Sequence, residues 1–310
     1  MAGTYFVVGS INMDLVAQVS RFPQPGETVK GSSFLTTPGG KGANQACALS
    51  RLGARVYMVG KMGNDQFARE YAAHFDEEGI ATEHIARVDG VSTGIAVIEV
   101  NLEGENHIVI VPGANERVDT AHVDRVSGDF SPGDMVLMQL EIPTDTVLHT
   151  LKKAKEQGTV TILDPAPAEP LPEEIYRYTD YLTPNATEIS VLAGMPTDTD
   201  DRLQRAVDTI LDYGAQTIVV KRGSRGATIF HEGESIHIGG FPVSAVDTTA
   251  AGDSFNAGLA YRLGSGYSLR EAVTYANAVG ALSTLKMGAQ TAMPTGVEVE
   301  RFIAEYSGRS

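Results

Sequence analysis

The chain has no tryptophan, one cysteine (Cys47) and few cations: 24 Lys plus Arg against 39 Asp plus Glu in 310 residues, a formal charge of −15. A lone cysteine cannot form an internal disulfide, and it leaves thiolate metal clusters short of ligands, so a reducing compartment is expected. The acidic balance speaks against a basic face that grips nucleic acid. It does not exclude small anions, which a few local cations and a helix N-terminus can hold. No apolar run approaches the ~18 residues of a membrane span, so no membrane partner is expected. Met1 to Thr4 lacks a basic segment followed by an apolar run, and Ala2 stands where myristoylation needs glycine. A cytoplasmic protein is the expectation.

Familiar motifs are missing too. A GxxxxGK[ST] phosphate loop fails because Gly42 follows Lys41 and Leu35 replaces the first glycine. Gly264-Ser265-Gly266 does not continue as a dinucleotide fingerprint. Gly252-Asp253-Ser254-Phe255-Asn256 is not a nucleophile elbow, and the seven histidines contain no HExxH pair.

What is there is an alternation of short apolar strands and helices. Tyr5–Val8, Val56–Val59, Met135–Leu140, Val160–Asp164 and Thr217–Lys221 read as strands. Residues 42–52, 66–78, 144–157 and 202–213 read as helices, as do 254–263, 269–285 and 297–306. This pattern predicts βαβ units and a mostly parallel sheet covered on both faces. At 42% hydrophobic and 20% charged, the chain can bury a sizeable core. Residues 12–38 and 92–112 break the rhythm, with strand character and no helices; Glu103-Gly104-Glu105-Asn106 reads as a hairpin turn. They predict a small β-sheet projecting from the body, a candidate lid.

Five motifs carry possible chemistry. In Asp247-Thr-Thr-Ala-Ala-Gly-Asp253, three small residues, Ala250, Ala251 and Gly252, lead into a helix. Main-chain amides there can close on an anion, aided by the helix dipole. Asp253 at the rim makes sense as a base toward an attacking hydroxyl; the plainer reading is an ordinary first-turn acid. Gly39-Gly40-Lys41-Gly42-Ala43-Asn44 allows positive φ and close backbone approach before a helix, projecting Lys41 and Asn44. A solvated glycine turn is the plainer alternative. Asn12 and Asp14 follow the first strand at the edge where open α/β sheets bind ligands, and their spacing puts both on one side of an extended chain. Asn185 and Glu188 stand three apart, which is also the spacing of a helix capping box. Lys221-Arg222-Gly223-Ser224-Arg225-Gly226 follows a strand and could hold a nucleotide or be a hairpin loop.

Together these motifs resemble the ribokinase-like family of ATP-dependent sugar and nucleoside kinases, from Gly9 to Pro294. GGKGAN and DTxAAGDxFN are specific as a pair. The resemblance implies an α/β fold with a doubly wound, mostly parallel sheet, an αβα sandwich. Its body would be residues 1–11, 39–91 and 113–310. Its β-sheet lid would be 12–38 and 92–112, often the contact of a homodimer. It places Asn12, Asp14, Gly40, Lys41, Asn44 and Glu141 on the sugar, with Asp253 as catalytic base and Ala250 to Gly252 as the anion hole. Asn185, Lys221 to Gly226, Gly252 and Asn277 fall on ATP positions. Glu188 falls where magnesium is tuned indirectly. Asp247, Thr249, Ser283, Lys286, Gly288 and Ala292 fall on a potassium loop, largely through backbone carbonyls. Lys221 departs from the threonine common at its position; Ser283 and Ala292 are also uncommon choices.

The implied reaction is transfer from MgATP to a primary hydroxyl, ribose O5 foremost, with deoxyribose, a ketohexose or a nucleoside as alternatives. No aromatic box for stacking a base is evident in the lid segments. Asp253 would be ionised at neutral pH, as an aspartate of ordinary pKa of about 3.9 is. Of the readings outside kinases, the missing fingerprint counts against a nicotinamide oxidoreductase. Asp253 beside an intact loop counts against a sugar-binding regulatory protein without catalysis.

Overall fold

The computed structural model describes residues 3–307; the readings at Met1 and Ala2, and the stretch 308–310 assigned to the body, lie outside them. The strands are β1 (Tyr5–Val8), β2 (Asn12–Val19), β3 (Gly31–Gly39), β4 (Val56–Gly63), β5 (Ile85–Val88), β6 (Gly94–Val100) and β7 (Asn106–Val111). They continue as β8 (Met135–Met138), β9 (Val160–Leu163), β10 (Tyr181–Leu182), β11 (Thr217–Lys221), β12 (Ala227–His231) and β13 (Glu234–Ile238). Nine of them form one sheet in the order β13-β12-β11-β10-β9-β8-β1-β4-β5. Its pairings are parallel except β11 with β12 and β12 with β13. The other four make a separate sheet, β3-β2-β6-β7.

Alternation along β1 shows why the large sheet is covered twice. Tyr5 and Val7 join one apolar cluster with Leu49, Tyr71, Ala257 and Val279; Phe6 and Val8 join another with Val147, Leu151 and Ile210. Period-2 geometry sends neighbours to opposite faces, and a helical layer meets each face. Each buried Val, Leu, Ile or Phe among them contributes about 1.5–3 kcal/mol of transfer free energy.

The small sheet differs. Every residue of β7 is exposed, and Phe34, Leu35, Ile108 and Val109 are more than half exposed. Among the described residues no helix is long and apolar enough to cross a membrane. The strands β5, β10 and β13 and the helices Thr120–Val126, Glu173–Arg177 and Ala186–Ala193 escape the sequence reading, because each is too short to show a period.

Candidate active site

Because β1, β8, β9, β10 and β11 run parallel, their carboxyl ends line up on one edge. The residues at or just past those ends therefore converge: Ser10 to Asp14, Gln139 to Glu141, Asp164, Asn185 and Lys221. The helices Lys41–Arg51 and Ala251–Gly264 start at the same edge.

The glycine turn is shaped by contact. Gly40 has φ +89°, and a Cβ there would lie 2.6 Å from the Asn12 amide nitrogen. A Cβ at Gly39 would lie 2.3 Å from the Asp14 carboxylate, so the turn's small residues make room for that group. Burial, then the charges of Glu141 and Asp253, push Asp14 up to about 7, with Lys41 opposing. Glu141 gathers this end of the cleft: one of its oxygens accepts from Ser10 Oγ (2.5 Å), Asn12 Nδ2 (3.3 Å) and the Lys41 amide (3.1 Å). Asn115 Nδ2 donates to Asn12 Oδ1 at 2.6 Å. Asn12, Asn115, Glu141 and Ile110 line a cavity of about 480 Å³ between the two sheets.

Asp253 occupies the first turn of Ala251–Gly264, 5% exposed. It accepts from Asn44 Nδ2 at 3.0 Å and Gln45 Nε2 at 3.2 Å. Burial pushes its pKa up to about 6; Lys41 opposes the shift and Asp164 adds to it. This corrects the expectation of an ordinary aspartate, although a group with a pKa of 6 is still mostly ionised at pH 7. The Lys41 ammonium feels burial, which disfavours its charge, but Asp253, Glu141, Asp164 and Glu188 outweigh it and raise its pKa.

No side chain caps that helix, and Ala250 at its start is left-handed, φ 57°. Of the amides expected to receive an anion, Ala251 N–H already donates to the Thr248 carbonyl at 3.2 Å. The turn's opening therefore rests on Gly252 and Asp253, with the Ala250 amide just before them. Starting at Ala251 rather than Ser254, the helix brings these residues into its first turn.

Lys221, Gly223, Ser224, Gly226, Ala251, Gly252 and Asn277 line a second cavity, of about 240 Å³ and mainly apolar toward Phe241 and Val243. The loop 222–226 is the β11–β12 hairpin and a cavity wall at once. Two of its expected contacts are turned elsewhere: Arg222 pairs with Asp200 at 2.8 Å, and Arg225 lines a shallow recess beside it. Asn277 Nδ2 donates to the Ile238 and Gly239 carbonyls, tying down the segment after β13. Asn185 and Glu188 do form the capping box, with the Glu188 carboxylate accepting from the Asn185 amide at 2.7 Å. Burial raises the Glu188 pKa, against the pull of Lys221.

Asp247, Thr249 and Gly288 also meet: the Asp247 carboxylate accepts from Thr249 N–H and hydroxyl and from Gly288 N–H at 2.7–2.9 Å. Burial works against its charge, but these bonds prevail and lower its pKa. Ser283 donates to the Gly280 carbonyl, Ala292 is buried, and the Lys286 side chain faces Glu298 at 3.9 Å. Among the described residues no group of three or more His, Cys, Asp or Glu is arranged to hold a metal.

Sequence reasoning passed over Ser10, Gln45, Asn115, Gln139, Asp164 and Gln290. Gln45 and Asp164 carried a usable signal: one adjoins Asn44 in the glycine motif, the other stands just past a parallel strand. Gln290, which bonds Asn44 and Tyr71 from 246 and 219 residues away, carried none.

The pfkB family carbohydrate kinase model matches residues 4–296. The ribokinase of Haemophilus influenzae is 39% identical over 303 residues, 98% of this chain and 99% of that one. The deoxyribokinase of Salmonella typhi is 34% identical, covering 96% of each. Among solved structures, Arabidopsis thaliana ribokinase complexed with ribose and ATP superposes with a TM-score of 0.90 at 35% identity, covering 97% of this chain and 98% of the other.

Proposed function

The chain belongs to the pfkB family of carbohydrate kinases, and from that premise we propose that it transfers the terminal phosphoryl group of ATP to O5 of ribose. The observation that carries the chemistry is Asp253: a buried carboxylate in the first turn of an uncapped helix, held by two amide donors. The transition state of phosphoryl transfer is loose, so positioning and charge stabilisation do most of the catalysis. Asp253 orients the attacking hydroxyl and takes its proton late, while the open amides at Gly252 face the developing charge.

The sugar lies on the Asn12, Asp14, Gly40, Lys41, Asn44 and Glu141 side. ATP lies along Lys221 to Gly226, Gly252 and Asn277. Five carboxylates (Asp14, Glu141, Asp164, Glu188 and Asp253) face two lysines across this edge, so a bare polyphosphate would be repelled. Magnesium brought in with ATP would neutralise it, held mainly by phosphate and water rather than by a protein cage. Glu188, whose oxygens serve the capping box, would act on it through water. Potassium suits the turn around Asp247, where a low-pKa carboxylate stands beside the carbonyls of 283–292. The sheet β3-β2-β6-β7, which spans the segments 12–38 and 92–112 and ends one residue further at Gly39, acts as a lid that excludes water. Its open apolar face, with Phe34, Val97 and Val109, would bury against a second copy in a homodimer. A reducing cytoplasm suits a chain whose cysteine is buried and free.

The test is a coupled ADP-release assay with ribose, deoxyribose and fructose. Ribose should have the largest kcat/KM; a deoxyribose preference would move the protein toward the Salmonella relative. Sugar binding without ADP release would leave only a regulatory binding protein.

A further inference from the structure

We infer that Lys221 contacts the transferring phosphoryl group and that Asp164 is the positioning residue that holds it there; this rests on the kinase reading above. Lys221 Nζ donates to Asp164 Oδ1 at 2.7 Å, the lysine side chain being 13% exposed and the aspartate 3%. A Cβ added to Gly252 would lie 3.5 Å from the same nitrogen. The ammonium therefore stands against the open first turn of Ala251–Gly264, on the wall of the 240 Å³ cavity. It has three donors; Asp164 takes one, and among the described residues no other hydrogen-bond partner takes the rest.

A buried ion pair is a poor device for stability alone, since desolvation offsets most of its attraction. This one joins the ends of β9 and β11, which are not neighbours, across β10. Its position at the mouth of the open helix gives it a use. An ammonium is a point charge that binds phosphate oxygens well, but on a four-carbon stem it must be held in place. Asp164 holds it, and is itself held: its second oxygen accepts from Gln45 Nε2 at 3.2 Å. That nitrogen also donates to Asp253 Oδ1, and Gln45 Oε1 is fixed by Gln139 Nε2 at 2.7 Å. One glutamine thus sets the spacing between the base that receives the hydroxyl proton and the cation that meets the phosphoryl oxygens.

Three variants test this: Lys221→Met, Asp164→Asn, and both together. Binding of the β,γ-imido analogue of ATP and of ADP is measured by calorimetry, kcat with ribose by ADP release, and folding by thermal melting. Lys221→Met should weaken the analogue by about 30-fold, ADP by less than about 3-fold, and lower kcat by about 10²-fold. Asp164→Asn should lower kcat by about 10-fold while the analogue Kd changes little, because the cation remains but wanders. The double variant removes both charges and spares the fold an unpaired one. Its kcat should match Lys221→Met within about threefold rather than multiply the two losses. Variants that melt lower yet bind the analogue and turn over like wild type would make the pair purely structural and overturn the inference. So would equal losses for ADP and the analogue. Wild type that binds the analogue but phosphorylates none of the three sugars would sink the kinase reading alone, since the Lys221 binding contrast would still stand.

Discussion

The helices Leu269–Ser283 and Ala251–Gly264 pack against each other, yet they begin in opposite ways. The first has a complete capping box: Ser268 accepts from the Glu271 amide, and the Glu271 carboxylate accepts from the Ser268 amide at 2.9 Å. The second opens on Ala250 in a left-handed conformation, with no side chain closing its amides. A cap is worth about 1 kcal/mol, and a left-handed alanine costs a similar amount. The chain gives up stability at one helix start and keeps it at the other. Asp65, Asp119, Asn185 and Thr199 cap four further helices in the ordinary way. Lys41–Arg51, Thr144–Glu156 and Glu173–Arg177 also lack a side-chain cap, so the left-handed Ala250 is what sets Ala251–Gly264 apart, and on the proposed kinase reading that start leaves amides open to an anion.

The largest test of this contrast is Asp253→Asn. If the open helix exists to place a base beside a phosphoryl group, kcat should fall by about 10²–10⁴ while ATP analogue binding persists. Turnover within about tenfold of wild type would reduce Asp253 to a first-turn acid, no different in kind from Glu271.

Next in size is the pH response. Asp253 is raised to about 6 chiefly by burial, and the base must be ionised to work. kcat/KM should therefore level off above about pH 8, once Asp14 (raised to about 7) is ionised too, and fall by about tenfold per unit or more as pH drops below about 6. Glu271, exposed and held low by Ser268, predicts no such limb. An acid limb centred near 4 would mean that Asp253 is solvated like an ordinary aspartate.

How far this was legible in sequence follows from the same residues. The alternation of Tyr5–Val8 with helical stretches carries the parallel body, because periodicity and burial are local. The glycines at 39, 40 and 42 and the small residues 250–252 were visible as openings. The shift on Asp253 was not, since it comes chiefly from burial by elements the fold brings together, with Lys41, Asn44 and Gln45 opposing it and Asp164 adding to it. The pairing of Arg222 was hidden for a related reason: its partner Asp200 lies on a helix that the loop sequence says nothing about.

A smaller effect is expected at the closed helix. Ser268→Ala removes the hydroxyl that serves the Glu271 amide and should cost about 1 kcal/mol, with kcat unchanged. Melting measured beside ADP release checks both halves. A loss of turnover would mean that cap and chemistry are coupled, and the contrast between the two helices would lose its meaning.

The smallest expected effect is Ala250→Gly, and it asks whether the open start is strained. At φ 57° glycine carries no Cβ penalty, which favours the folded state by about 1 kcal/mol. Against this, glycine widens the unfolded ensemble by about 0.4–1 kcal/mol, and the Ala250 methyl that packs on the core is lost. The two nearly cancel, so the melting temperature should move by no more than about 1–2 °C, with kcat within about twofold. The same substitution at Ala257, buried inside the same helix, should lower stability by about 1 kcal/mol through helix propensity, more with its lost packing. If both positions lost equally, Ala250 would be behaving as an ordinary helical residue. Its left-handed turn, and with it the argument that the helix is held open, would be wrong.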